Sequence, residues 1–156
     1  MYDKHLTQSE RVYKALNPGG DPFLYTPKAN SILDLIGLVL WATEGDKTQV
    51  SLANGNPNII RKYLEFLRTV CHYREEKITC VIHCHDTLPY QECLTFWSMV
   101  TGIPKERFRK PYIKEDKGGT RKYPHGICRV VANNTRLVDI FYRRLAEIGI
   151  PRENEK

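Results

Sequence analysis

The sequence predicts an α+β domain with a mostly antiparallel sheet. Three observations carry this: five segments with apolar residues at helical spacing, shorter β-favouring runs between the later ones, and an order α, α, β, α, β, α, β, β, α without internal repeats. Helices in this order can cover one face of a sheet and leave the other free for a partner. At 156 residues, with 41% hydrophobic and 27% charged residues, the chain suits one globular domain with its own core.

Thr7 and Glu10 are spaced as a capping box ahead of Val12, Tyr13 and Leu16, and Asn17-Pro18-Gly19-Gly20 stops that helix. Residues 1–28 therefore read as an N-terminal helix and linker, 29–150 as the main domain and 151–156 as a tail. Ser31 with Asp34 forms a second capping box. It opens a helix over about 31–44 whose apolar residues, Ile32, Leu33, Leu35, Ile36, Leu38, Val39, Leu40 and Trp41, surround the whole cylinder. Such a helix should be buried on nearly all sides. Thr48 to Ala53 alternates polar and apolar residues, as a half-buried strand does.

Asn56-Pro57 starts a helix over about 57–71 with Ile59, Ile60, Tyr63, Leu64, Leu67 and Val70 as one stripe. Lys77 to His85 reads as a strand, and Asp86 or Thr87 as the cap of a helix over about 88–101 that carries Tyr90, Cys93, Leu94, Trp97 and Val100. Phe108–Lys114 and Ile127–Asn133 read as two strands able to pair as a hairpin through the Gly118-Gly119 turn. A last helix over about 135–148 places Leu137, Ile140, Phe141, Leu145 and Ile148 on one face.

Eight basic and three acidic residues lie between Lys105 and Lys122, so this stretch holds nearly all of the net charge of +6. Concentrated charge points to a polyanion-binding surface. Arg107, Arg109, Lys110, Lys114, Lys117 and Arg129 interleave with Phe108, Tyr112 and Ile113 on the expected hairpin, and a two-stranded ribbon can enter a major groove. The five cysteines, Cys71, Cys80, Cys84, Cys93 and Cys128, are odd in number and no charged-then-apolar signal segment opens the chain, which fits a reduced cytoplasm. No apolar run approaches a membrane span, so no membrane role is expected. Cys80, His83, Cys84 and His85, with Cys93 and Cys128, invite a zinc reading. It is the weaker one, since His83 and His85 share one strand face while Cys84 takes the other and no CxxC pair occurs.

The all-round apolar helix that runs into Gly37-Leu38-Val39-Leu40-Trp41-Ala42-Thr43-Glu44-Gly45 resembles the LAGLIDADG signature of the single-motif homing-endonuclease-like family. The segments Leu52–Pro57, Phe96-Trp97-Ser98 with Thr101–Pro104, and Tyr123–Val130 resemble further blocks of it, over about Asn30 to Gly149. The resemblance implies an antiparallel sheet with helices on one face and a homodimer that packs two such helices across a twofold axis. It further implies that Glu44 of each copy holds Mg²⁺ or another divalent cation, and that double-stranded DNA is cut with no small-molecule cofactor.

Two carboxylates with phosphate oxygens and waters approach the shell Mg²⁺ demands, whereas one carboxylate does not. Lys47, Arg121 and Lys122 are the basic candidates beside the phosphate. The sequence departs from the pattern at Val39 and Leu40, which stand where the family places small residues; Gly37 and Ala42 are then expected to supply the close contact. A non-catalytic DNA- or RNA-binding protein on the same scaffold, such as a regulator or intron maturase, is the alternative, and a small-molecule-binding α+β domain is a third class.

Overall fold

The computed structural model describes residues 20–118 and 123–153. The capping box at Thr7 and the helix after it lie outside the described residues, as do Arg121 and Lys122. The four helices fall close to where the apolar period places them: α1 Ser31–Glu44, α2 Pro57–Thr69, α3 Tyr90–Thr101 and α4 Thr135–Glu147. Four strands, β1 Leu52–Asn54, β2 Thr79–His85, β3 Tyr112–Lys114 and β4 Ile127–Val131, form one sheet in the order β1-β4-β2-β3. The architecture is α+β with a mixed sheet.

Asparagines start three of the helices. The side chains of Asn30, Asn56 and Asn134 accept from the backbone N–H groups of Leu33, Asn58 and Leu137, each filling one otherwise orphaned donor. Ser31 is thus the first helical residue of α1 and not its cap. Asp34 does not close a capping box either; it is buried, accepts from the Tyr25 hydroxyl and pairs with the Arg144 guanidinium of α4 at 2.8 Å. Tyr25 is driven far above its ordinary pKa, first by burial and then by its hydrogen bond to Asp34, so its hydroxyl stays a donor. α3 begins later than expected, at Tyr90 after Pro89, and stops at Gly102, whose φ of 70° takes the left-handed cap conformation.

The expected hairpin between Phe108–Lys114 and Ile127–Asn133 does not form, because β2 lies between the two strands. β3 runs parallel to β2, with His83 opposite Tyr112, whereas β4 is antiparallel to both β2 and β1. Side-chain character explains the choice. Cys128 and Val130 of β4 are fully buried and suit the sheet centre, while Tyr112, Ile113 and Lys114 are all exposed and suit an edge. The chain reaches that edge through α3, the crossover a parallel pair requires. Upstream, Cys80 pairs with Phe108. Between that bridge and the pairing of His83 with Tyr112, β2 advances three residues and its partner four, a bulge that cuts the expected strand down to Tyr112–Lys114. β1 is likewise shorter than Thr48–Ala53, since Asp46 accepts from both the backbone N–H and the hydroxyl of Thr48 and folds that stretch into a turn.

Leu52, Cys80, Ile82, Cys84, Cys128 and Val130 form the covered face of the sheet, all buried. The alternate residues Ala53, Thr79, Val81, His83, Ile127, Arg129 and Val131 are only partly buried, so among the described residues that face is open. Trp41, Phe66 and Phe141 build an aromatic centre where α1, α2 and α4 meet, with Trp41–Phe141 centroids 5.2 Å and Phe66–Phe141 centroids 5.5 Å apart. Gly37 is indispensable to it. A Cβ there would lie 2.0 Å from the Phe66 ring. The glycine of α1 thus admits a side chain of its own protein, not a partner helix as expected, and Ala42 packs half-buried against the same core.

The outward side of α1 is a different surface. Ile32, Leu35, Ile36 and Val39 are 72%, 42%, 38% and 41% exposed. Spaced at three and four residues, they form one stripe. The expectation of a helix buried on nearly all sides therefore fails within the single chain. No helix of the described residues is long and apolar enough to cross a membrane.

Candidate nucleic-acid interface

The open sheet face collects polar and cationic side chains because strand residues two apart share a side. In one row Arg129 stands between Ala53 and Val81; in the next, His83 stands between Ile127 and Tyr112; beyond them His85 pairs with Lys114. The imidazole of His83 stacks on Tyr112, with centroids 5.0 Å apart and planes within 7°. Its Nε2 is buried and has no hydrogen-bond partner among the described residues. Burial, and then the charges of Arg129 and Lys114, hold the His83 pKa below its ordinary 6.5.

Arg129 is tied to Asp46 at 3.0 Å, each side chain about one-third exposed. Hydrogen bonds from Thr48, followed by the Arg129 charge, keep the Asp46 carboxylate below its usual range. Asp46 was invisible as a site residue in the sequence. The only local signal is the Asp46-Lys47-Thr48 turn, and nothing in it points 83 residues ahead to Arg129.

The segment that follows β3 is fixed at both of its described ends. Asp86 donates from its backbone to the Lys114 carbonyl at 2.7 Å, its carboxylate accepts from the Asp116 N–H, and Thr87 donates to the Asp116 carboxylate at 2.7 Å. At the far end Tyr123 fills the space over Gly55, where a Cβ would come within 2.2 Å of the ring. His125 stacks on Phe96 of α3 at 3.8 Å, and its carbonyl accepts from the Trp97 indole. Lys114 is exposed at the end of β3, Lys117 on the segment after it, and Arg109 and Lys110 on the approach to β3. The cations expected on a hairpin thus lie along one sheet edge, on the segment after it and, as Arg129, at the sheet centre.

Arg107 is placed differently from the rest. It donates to the Glu75 carbonyl and at 2.7 Å to the Glu75 carboxylate, which also pairs with Arg68 at 2.6 Å. That network fastens the Lys105–Arg107 turn to α2, and both terminal nitrogens of the guanidinium are occupied within the chain.

Glu44 is the last residue of α1 and is exposed. Lys47 folds back over the helix end, donating to the carbonyls of Trp41 at 3.0 Å and Gly45 at 2.9 Å, with its ammonium 5.7 Å from the Trp41 ring centroid. It neutralises the negative end of the helix. Burial lowers its pKa, against the opposing pull of Asp46 and Glu44. The cysteines belong to the core: Cys71, Cys80, Cys84, Cys93 and Cys128 are all buried, while His83 takes the opposite sheet face and His85 is exposed. A hydrogen bond with Cys80 and burial push the Cys128 thiol well above its usual pKa, and burial does the same for Cys71. Such thiols are inert. Among the described residues no group of three or more His, Cys, Asp or Glu is placed to hold a metal ion. Neither a family model, nor a curated protein, nor a solved structure matches this chain.

Proposed function

We propose that the chain acts as a homodimer of the single-motif LAGLIDADG type, binding double-stranded DNA on the open sheet face and cutting it with a divalent metal. The observation that carries the reading is the outward stripe of α1, Ile32, Leu35, Ile36 and Val39, on the same helix that ends in Glu44-Gly45. Four aliphatic side chains at helical spacing form a contiguous apolar surface of the kind that a second copy hides across a twofold axis. Thr43 continues the stripe, and Glu44 follows it at the helix end. A dimer in which the twofold axis runs along the stripe, so that the two helices are parallel, brings two carboxylates to one end of the helix pair, whereas an antiparallel pair would separate them by the helix length.

One chain supplies a single suitable carboxylate there, so its residues fit a divalent cation only with a second Glu44 and DNA phosphate oxygens. Bound there, the metal would acidify a water and neutralise charge at phosphorus. The protein's own part is to orient the duplex. Arg129, Arg109, Lys110, Lys114 and Lys117 engage phosphates, and Arg121 and Lys122 remain the candidates for the scissile one. Lys47 holds the end of α1 and so fixes the position of Glu44.

A second reading, DNA or RNA binding without cleavage, is favoured by Glu44 being turned about 100° around the helix from Thr43, the last residue of the stripe. Val39 on the stripe is also bulkier than the small residues the family packs there. Plasmid DNA incubated with protein and Mg²⁺ separates the two: cleavage by the wild type, lost in Glu44→Gln with DNA affinity kept, is the expected result. Affinity without cleavage moves the assignment to the second reading, and sedimentation as a monomer at tens of micromolar would overturn the shared-metal site.

A further inference from the structure

We propose that His83 is a proton-coupled element of the phosphate-binding face, and that nucleic acid bound through Arg129 and Lys114 takes up a proton there in each protomer. This rests on the nucleic-acid reading above and adds a pH control to it. The geometry is specific. His83 lies in the middle of the open face on β2, with β4 on one side and β3 on the other. From β4 it faces Arg129, itself held by Asp46; from β3 it faces Lys114 and the stacked Tyr112 ring; on its own strand His85 shares its side.

In the free protein burial and the charges of Arg129 and Lys114 oppose a charged imidazole. Among the described residues Nε2 has no acceptor, the ring is partly buried against Tyr112, and two cations stand close by. A phosphodiester lying over Arg129 and Lys114 reverses their effect by cancelling those charges and bringing its own negative charge. The field acts across several ångströms, so direct contact with the ring is not required. The proton comes from solvent, and no bond other than N–H is made.

A group whose pKa rises on binding makes the complex tighter as pH falls between the bound-state and free-state values, by about tenfold for each unit of that rise. Because the free-state value lies below 6.5, the effect belongs to the mildly acidic range.

The test measures affinity for a short mixed-sequence duplex by fluorescence anisotropy at constant ionic strength, from about pH 8 to about pH 5.5. Wild type, His83→Gln and His85→Gln are compared, and the imidazole resonances of His83 are titrated by NMR with and without the duplex. Binding that tightens on acidification in wild type and in His85→Gln, but is flatter in His83→Gln, is expected, together with a His83 titration that moves upward when duplex is present. An unchanged pH dependence in His83→Gln, or a His83 titration that DNA does not move, overturns the proton coupling while leaving the nucleic-acid reading intact. Absence of duplex binding at any pH in low salt overturns both.

Discussion

The two faces of α1 are almost equally apolar, yet only one is built to fit its surroundings. On the inner face, Gly37 leaves space for the Phe66 ring, the Trp41 indole donates to the Gln49 carbonyl at 2.8 Å, and Asp34 meets Arg144 and Tyr25. The outer face carries four exposed aliphatic residues. Apolar character alone does not tell a core face from an interface. The difference lies in the small, aromatic and charged residues that need one particular neighbour.

That contrast sets an order of expected effects. Gly37→Val should be the most damaging change, costing about 3 kcal/mol or more, because even a Cβ cannot clear Phe66. A chemical-denaturation midpoint close to wild type would show that the inner face yields. Arg144→Ala should follow at about 3 kcal/mol, since it strands the Asp34 carboxylate in the core, and the double variant Asp34→Asn with Arg144→Ala should recover part of the loss. Without such recovery, Asp34 and Arg144 are not energetically coupled.

Val39→Asp on the outer face should leave the unfolding free energy of the monomer within about 0.5 kcal/mol of wild type while shifting sedimentation from dimer to monomer. If it unfolds the protein instead, the stripe belongs to the core. Salt dependence gives a gentler comparison. With about four phosphates neutralised per protomer, the log–log slope of DNA affinity should lie near −7, and Lys117→Gln should make it shallower by about one for each protomer. An equal slope would remove Lys117 from the contact.

The smallest effect concerns the free protein. Because His83 favours its neutral form when folded, the associated stability is present above 6.5 and is lost as pH falls toward its lower folded value. His83→Gln should therefore lose less stability on acidification than wild type does, which a thermal-shift series across that range would detect.

The helices were legible in the sequence because their signals are local: the Asn56-Pro57 start, and the three-and-four spacing of residues such as Ile60, Tyr63, Leu64 and Leu67, whereas the caps Asn30 and Asn134 went unread. Strand pairing was not. β3 and β4 are neighbours along the chain, but parallel pairing of β3 with β2 depends on the return path through α3, and local pattern carries no such information. Of the candidate site, the exposure of Lys114 and the separation of His83 from the cysteines could be read from charge and period two. The pairing of Asp46 with Arg129 and the capture of Arg107 by Glu75 are long-range contacts that spacing does not encode.

The buried Asp34–Arg144–Tyr25 group has a consequence for how α1 is oriented. A cylinder apolar on every side has many nearly equivalent ways to lie against a core, each turned by a fraction of a rotation. Only one of them brings the carboxylate of the first turn to the guanidinium of α4; any other leaves a negative charge without partners in a dry environment. The three side chains act as an index mark on the helix, fixing which azimuth is offered outward and the direction in which Glu44 leaves the C-terminal turn.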